Sequence, residues 1–442
     1  MPALDLLIRG GTALTLTDDR PRIHPAMIGI RDGLITLLEE GFATESRRDL
    51  SAAETLDASG TIILPGLVNT HTHLPMTLFR GLADDLPLMD WLNHHIFPAE
   101  ARHIHPDTVY AGSLLALAEM ILSGTTTFCD GYFYEEHVAQ AALDTRMRGI
   151  VAEGFLDPPL PEAPDTAAQV RRAERFLAKW QGASPLVTPA LFLHSPYTCS
   201  PATLTAIKDV ARHHGALCCI HVAETREETA IVRDRYGTTP VRHLHRLGVL
   251  DEKTLAVHVN WVDEEEMTIL LDCGVAVSHC PESSMKLSAG IAPVPALLNR
   301  GIPVGLGTDG CASNNDLDLF GEMDTAAKLH KVRLEDPTVM DAQTVLRMAT
   351  RGGARCLGLN DRIGTLSLGS AADLIIVELK NKPHLTPLYN PWSQLVYAAS
   401  GSDVATVVIN GRIVLQDRRL VTIDLPAVIE DVERIADRIR SS

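Results

Sequence analysis

Thr61-Ile62-Ile63-Leu64-Pro65-Gly66-Leu67-Val68-Asn69-Thr70-His71-Thr72-His73 is an apolar run that closes on two histidines one residue apart. On a strand, residues i and i+2 share a face, so both imidazoles can reach one point in space. Two neutral imidazoles on one face make half of a first-row metal site, for which zinc is the usual occupant. Taken alone, the pattern is more often two ordinary strand-end histidines. The rest of the chain decides between the two readings.

Working outward, short apolar runs alternate with helical stretches from about Gly112 to Gly310. Eight candidate strands end near His73, Asp130, Asp157, His194, His221, His258, His279 and Asp309. Near-continuous apolar strands alternating with helices indicate a parallel sheet covered on both faces. Eight such units predict a (β/α)8 barrel of the TIM type, with its active site at the C-terminal ends of the strands. Polar, metal-competent residues end nearly every strand, which is where barrel chemistry belongs.

The flanks read differently. Residues 3–60 carry short strands with glycine turns (Leu6-Leu7-Ile8-Arg9-Gly10-Gly11), and residues 365–422 repeat the style in Ala372-Asp373-Leu374-Ile375-Ile376-Val377. Two all-β flanks around one barrel most simply pair into a single small sandwich. The expected division is a discontinuous β-sandwich from 1–62 and 360–424, a catalytic barrel from 63–359, and a helix from 425–442. Leu425, Val428, Val432, Ile435 and Ile439 lie at helical spacing, so that last helix should pack on the body. The Pro-rich stretch from Asp157 is expected to form a wall or lid of the site.

Composition bounds the function. The chain has 442 residues and a formal charge of −17. That charge argues against nucleic-acid binding, which rests on Lys and Arg neutralising phosphates. No apolar run approaches the roughly 20 residues needed to span a bilayer, and the N-terminus lacks a signal-peptide pattern. Eight scattered cysteines without a Cys-x-x-Cys read as free thiols of a cytoplasmic protein. A small-molecule substrate is expected, with no nucleic-acid or membrane partner. The acidic surface is compatible with a homo-oligomer.

Barrel strand ends converge on one axis. His71 and His73 close the first strand, His221 the fifth and Asp309 the eighth, giving three imidazoles and a carboxylate. Three nitrogen ligands and one oxygen ligand with room for water describe a catalytic metal site rather than a closed structural one. One zinc ion is expected there, with iron and manganese as alternatives. Glu224 follows His221 at i+3 and is placed to carry a proton between the water and the substrate. Its plainer reading is an acid at a helix N-terminus, since Glu224-Thr225-Arg226-Glu227-Glu228 opens a charged helix. His258 is placed to hydrogen-bond the oxygen, and Asp309 to orient the water as well as touch the metal. The reaction class is metal-assisted hydrolysis at an electrophilic carbon. The remaining histidines, including His94, His95, His213, His214, His243 and His245, are read as ordinary surface or core residues. Strand four ends in His194-Ser195-Pro196-Tyr197 with no lysine to bridge two metals, so a single ion is expected. No Gly-x-Gly-x-x-Gly opens a strand–helix unit, which disfavours a nucleotide cofactor.

These residues resemble the amidohydrolase superfamily and, more narrowly, its 5-methylthioadenosine/S-adenosylhomocysteine deaminases. The resemblance runs from Pro65-Gly66-Leu67-Val68-Asn69-Thr70-His71-Thr72-His73 through Leu78-Phe79-Arg80-Gly81, Pro98-Ala99-Glu100 and His194-Ser195-Pro196-Tyr197. It continues in Ile220-His221-Val222-Ala223-Glu224, Ser278-His279-Cys280-Pro281 and Gly307-Thr308-Asp309-Gly310. It implies hydrolytic deamination at C6 of an adenine nucleoside, with zinc on His71, His73, His221 and Asp309. Glu224 would pass the water proton to purine N1 and His258 would assist at the oxygen. Glu100 would grip the ribose hydroxyls, and His194, with Glu224 and Asp309, would contact the substrate.

Two departures stand out. Some members of the family place an arginine where this chain has Glu153, and no Arg or Lys follows from Asp157 to Asp165. The carboxylate of S-adenosylhomocysteine would want such a cation. This favours 5′-methylthioadenosine, or adenosine and 5′-deoxyadenosine, over the homocysteine compound. The second departure is Ser284, where relatives commonly carry Asn. The same scaffold also serves guanine, 8-oxoguanine and triazine hydrolases, against which Glu100 argues because those substrates have no ribose. A non-catalytic scaffold is the remaining alternative, and the full set of ligands argues against it.

Overall fold

The computed structural model describes residues 4–41, 51–157 and 165–441. Eight parallel strands form the central barrel: β1 (Leu67–Thr72), β2 (Thr125–Tyr132), β3 (Arg148–Phe155), β4 (Val187–Leu193), β5 (Cys218–Val222), β6 (Thr254–His258), β7 (Ala276–His279) and β8 (Val304–Leu306). Each pairs with the next in sequence, as in β3–β4 from Gly149↔Val187 to Phe155↔Leu193. All of β1, β2 and β3 is buried, because helices cover the outside and side chains fill the inside. Val68, Cys129, Ile150, Ala152, Ala190 and Phe192 belong to the inner cluster.

The covering helices start where side chains replace missing intrahelical partners. Asp165, Ser200, Thr225 and Asp263 each accept a backbone N–H at a helix N-terminus. The barrel closes between β8 and β1 largely through side chains. Thr70 donates to the Leu306 carbonyl at 2.9 Å, Asn69 to the Thr308 hydroxyl at 2.8 Å, and the Asp309 N–H to the His71 carbonyl at 3.0 Å. Gly307 permits this approach, since a Cβ there would lie 2.9 Å from the His71 nitrogen.

The opening stretch, read as one strand run, is divided in the structure. Thr61–Pro65 joins a seven-stranded sheet, while Leu67–Thr72 is β1. The break falls at Gly66, whose N–H goes to the Asp373 carbonyl at 3.0 Å. A Cβ at Gly66 would sit 2.0 Å from the Thr126 hydroxyl, so the chain turns there only as glycine. The seven-stranded sheet runs in the order Arg419–Leu420, Arg412–Gln416, Val404–Ile409, Leu374–Glu378, Thr61–Pro65, Thr12–Leu14, Arg22–Ile23, mixing both chain ends. A four-stranded sheet comes from the N-terminal flank alone: Leu34–Glu40, Ala26–Arg31, Leu4–Gly10, Ala52–Asp57. Ile8, Ile28 and Ile30 of the smaller sheet share a core with Ile63, Leu374 and Val408 of the larger, forming the sandwich.

Arg148, at the start of β3, ties barrel to sandwich. It forms a bidentate pair with Asp373 at 2.6 and 3.1 Å, both side chains being nearly fully buried. The C-terminal helix, Leu425–Arg440, buries Val428, Val432 and Ile435. Val432 and Ile435 enter the same cluster as Trp91, Leu92 and Ile96, which belong to the helical segment over the barrel mouth. No helix of the described residues is long and apolar enough to cross a membrane.

Candidate active site

β1, β5 and β8 deliver their terminal polar residues to one place. The ligand-competent atoms of His71, His73, His221 and Asp309 all lie within 4.8 Å of one another, the single such group of His, Cys, Asp and Glu among the described residues. His71 Nε2 is 3.2 Å from His221 Nε2, and Asp309 Oδ1 is 3.5 Å from His71 Nε2 and 3.2 Å from His73 Nε2. His73 Nδ1 faces the Gly131 carbonyl at 2.6 Å, which makes Nδ1 the protonated nitrogen and leaves the Nε2 lone pair inward.

Burial sets the charge states. Desolvation lowers His71 to about 4, and His221 well below its ordinary value, so both rings are neutral donors. For His73, burial pulls down but the bond and charge of Asp309 outweigh it, and the net shift is upward. Asp309 is likewise opposed by burial, yet its contacts with His71 and His73 hold it well below the usual carboxylate range. Two neutral imidazoles, the inward-facing Nε2 of His73 and an ionised carboxylate at one point are a donor set suited to a divalent cation, which would displace any proton from His73. The group can bind a metal.

Strained backbone accompanies the site. Ala223, His258 and Asp309 hold left-handed φ of 52°, 73° and 60° just where β5, β6 and β8 end. Such a residue costs about 1–2 kcal/mol in an ordinary side chain, so the surrounding bonds must over-determine it.

A cavity of about 450 Å³ opens over this group. Glu224, His258, His194 and Glu100 all line it, as does Asp309. Glu224 Oε1 lies 3.8 Å from His258 Nε2. Burial first, and the charges of Asp309 and Glu228 second, push the Glu224 carboxyl well above its ordinary value. Desolvation takes His258 down to about 3 and His194 to about 4. Glu100 projects from the helix Phe97–His103 and accepts a 2.5 Å hydrogen bond from the Tyr132 hydroxyl. Burial, partly offset by that bond, raises Glu100 to about 7. The other walls are largely apolar, with Trp91, Leu92, Ile96, Phe97, Phe133 and Phe155 prominent, and no Lys or Arg lines the cavity among the described residues.

Glu153 does not line the cavity: side chains alternate along β3, and its own points outward to the helix layer. There it pairs with Arg172 and accepts the Glu135 N–H at 3.1 Å. The residue at position 153 therefore says nothing of the ligand; what bears on it is that no Lys or Arg lines the cavity among the described residues. Of the Pro-rich stretch from Asp157 expected to form a wall or lid, residues 158–164 lie outside the described residues. The wall over the cavity comes from Leu88–His103. His243, read as ordinary, stacks on Tyr236 with centroids 4.0 Å apart.

Sequence reasoning missed the residues that hold the site. Ser283 and Ser313 both donate to Asp309 Oδ2, at 2.6 and 2.9 Å. Tyr132 holds Glu100, and Glu228 grips the backbone beside Glu224. Ser284, the departure of unknown effect, accepts from Asn260 Nδ2 at 3.2 Å. Only Glu228 carried a signal, as an acid at i+4 from Glu224.

The comparisons with known proteins agree with this geometry. Residues 62–414 match the amidohydrolase family model. The chain is 52% identical over 436 residues to the 5-methylthioadenosine/S-adenosylhomocysteine deaminase of Syntrophobacter fumaroxidans, covering 99% of this chain and 98% of the relative. It is 44% identical to the 5′-deoxyadenosine deaminase of Methanosarcina mazei, with 98% of each chain covered. Among solved structures, a zinc-bound adenosine deaminase from Xanthomonas campestris superposes with a TM-score of 0.96 at 38% identity, over 100% of this chain and 99% of that one. By fold, donor set and sequence, the chain belongs to the amidohydrolase family.

Proposed function

We propose that this chain is a zinc-dependent aminohydrolase that removes the C6 amino group of an adenine nucleoside, giving an inosine-type product and ammonia. What supports this most is one arrangement: a metal-competent group, a carboxyl suited to carry a proton and a carboxylate suited to a vicinal diol face the same cavity. The deaminase relatives point the same way.

His71, His73, His221 and Asp309 would hold the zinc, with iron and manganese as alternatives. When bound, the ion supplies Lewis acidity, which brings the pKa of a water to about 7. Glu224 takes one proton of the attacking water and delivers it to purine N1, which makes C6 electrophilic as the oxygen adds. Burial raises its carboxyl, which strengthens it as a proton acceptor. Neutral His258 donates a hydrogen bond to the incoming oxygen. Asp309 orients the water, receives its second proton and passes it to the amino nitrogen, whose bond to C6 then breaks. Glu100 accepts two ribose hydroxyls, and His194 contacts the nucleoside from β4.

A cavity with apolar walls, three carboxyl groups and no Lys or Arg among the described residues favours a 5′ substituent without a carboxylate, so 5′-methylthioadenosine is the favoured substrate, with adenosine and 5′-deoxyadenosine accepted and S-adenosylhomocysteine poor. The test is the ultraviolet change from adenosine to inosine chromophore in zinc-loaded enzyme. Turnover of the uncharged nucleosides with a weak S-adenosylhomocysteine reaction supports the reading. Silence on all of them, with zinc bound, transfers the assignment to a free-base or triazine hydrolase.

A further inference from the structure

Glu228 is buried, with 2% exposure, on the first turn of the helix Arg226–Tyr236. Such an acid at a helix start ordinarily serves the helix. Thr225 already fills that role, because its hydroxyl accepts the Glu228 N–H at 3.1 Å. The Glu228 carboxylate reaches back past the cap instead. Oε1 accepts the Ala223 N–H at 3.0 Å and Oε2 accepts the Glu224 N–H at 2.7 Å.

The other backbone groups of this turn are fixed too. The Ala223 carbonyl accepts from Trp261 N at 3.0 Å, and the Glu224 carbonyl from Asn260 Nδ2 at 3.0 Å. Both N–H and both C=O groups of Ala223 and Glu224 are thus held, although Ala223 sits in the left-handed region with φ 52°. A strained turn stays in place only when its surroundings over-determine it. Two of the four bonds come from one buried side chain.

We propose that Glu228 is a positioning residue for Glu224: its two oxygens grip adjacent backbone N–H groups and fix where the Glu224 carboxyl enters the cavity. The inference rests on Glu224 as the proton carrier. A proton carrier must sit within hydrogen-bond reach of both donor and acceptor. Glu228 is not among the residues that line the cavity, so it acts through the main chain.

The variant to make is Glu228→Gln. Its volume is unchanged and its amide oxygen can still accept one N–H, but its NH2 then faces the other, donor against donor. Expected are a fall in kcat of about 100-fold, the loss typical of a small misplacement, with KM for the nucleoside within about threefold. Amide hydrogen exchange of the segment 222–225 should accelerate. In a Glu224→Ala background the same substitution should cost the residual rate nothing further, because the group it positions is gone.

Unchanged kcat with a lowered melting temperature would make Glu228 a helix cap only and overturn the proposal. An equal loss in both backgrounds, or unaltered exchange at 222–225, would also overturn it. Should Glu228→Gln not fold, Asn260→Ser releases the same turn from the other side, and an unchanged kcat there is equally fatal. The exchange measurement needs no substrate. A wild-type protein inactive on every adenine nucleoside would therefore refute the proposed function while exchange still decided the positioning role.

Discussion

The Ser283 hydroxyl donates to Asp309 Oδ2 at 2.6 Å, leaving Oδ1 to face His71 and His73. Ser313 adds a second hydroxyl to the same oxygen at 2.9 Å. One carboxylate is thereby divided: Oδ2 is held by two side-chain hydroxyls, while Oδ1 accepts the Gly310 N–H at 2.9 Å and keeps its other side toward the histidines. Partners of this kind orient a ligand and tune its basicity.

Removing that division should loosen the metal. Ser283→Ala is expected to weaken zinc retention and activity by about 10- to 100-fold, and Ser313→Ala by somewhat less. Zinc release to a chromophoric chelator measures the first and initial rates the second. Retention equal to wild type in the double variant would refute the assignment.

Glu100 should give the reaction a pH limb. Its carboxyl is raised to about 7 by burial, so it is protonated below that and ionised above. Only the ionised form accepts from both ribose hydroxyls while keeping the Tyr132 bond. The kcat/KM for a ribonucleoside should fall as pH drops through about 7. Glu100→Gln should raise KM and flatten this limb, whereas a free base should show neither effect.

The Arg148–Asp373 pair should matter to stability. Both side chains are nearly fully buried, and Asp373 also accepts the Asn410 N–H at 2.7 Å. Truncating either partner strands a buried charge, for which about 3–5 kcal/mol is typical. Asp373→Ala should lower denaturation stability by that order. The double variant with Arg148→Met should lose less than the sum, as residues in one network are not additive.

Acid should act through a second buried pair, one that is not part of the metal-competent group. His279 Nε2 and His330 Nε2 are 3.2 Å apart. Burial, then Lys331, lowers His330 to about 4, and burial holds His279 well below its ordinary value. Between pH 6.5 and 4 the unfolded chain takes up these protons and the folded chain does not, so stability falls as pH falls. For His330 alone the loss is about 2 kcal/mol by pH 5. His330→Gln keeps a hydrogen-bond donor without a titrating ring, and urea denaturation at pH 7 and pH 5 should show a smaller difference than wild type.

Much of this was written in the order of residues. Apolar runs that end in His73, His221, His258 and Asp309 identify barrel strands, because a parallel strand covered on both faces must be apolar and its C-terminal end must be polar. The His-x-His spacing places two ligands on one face without any knowledge of the fold, and His221 and Asp309 follow once the barrel is assumed. Those are local rules, with periods of two residues and of one β/α unit.

The tertiary structure alone decided which neighbours hold those residues still. Gly66 splits an apolar run that reads as continuous, because the bulk it avoids belongs to Thr126, 60 positions away in sequence. Glu153 turned outward, because the face of a strand residue depends on register, which one residue of shift inverts. Ser283 meets Asp309, Tyr132 meets Glu100, and Arg148 meets Asp373 across 26, 32 and 225 positions. No spacing rule encodes such contacts. They exist because closing the barrel brings distant strand ends together, and a buried polar atom must then find its partner wherever the fold has put one.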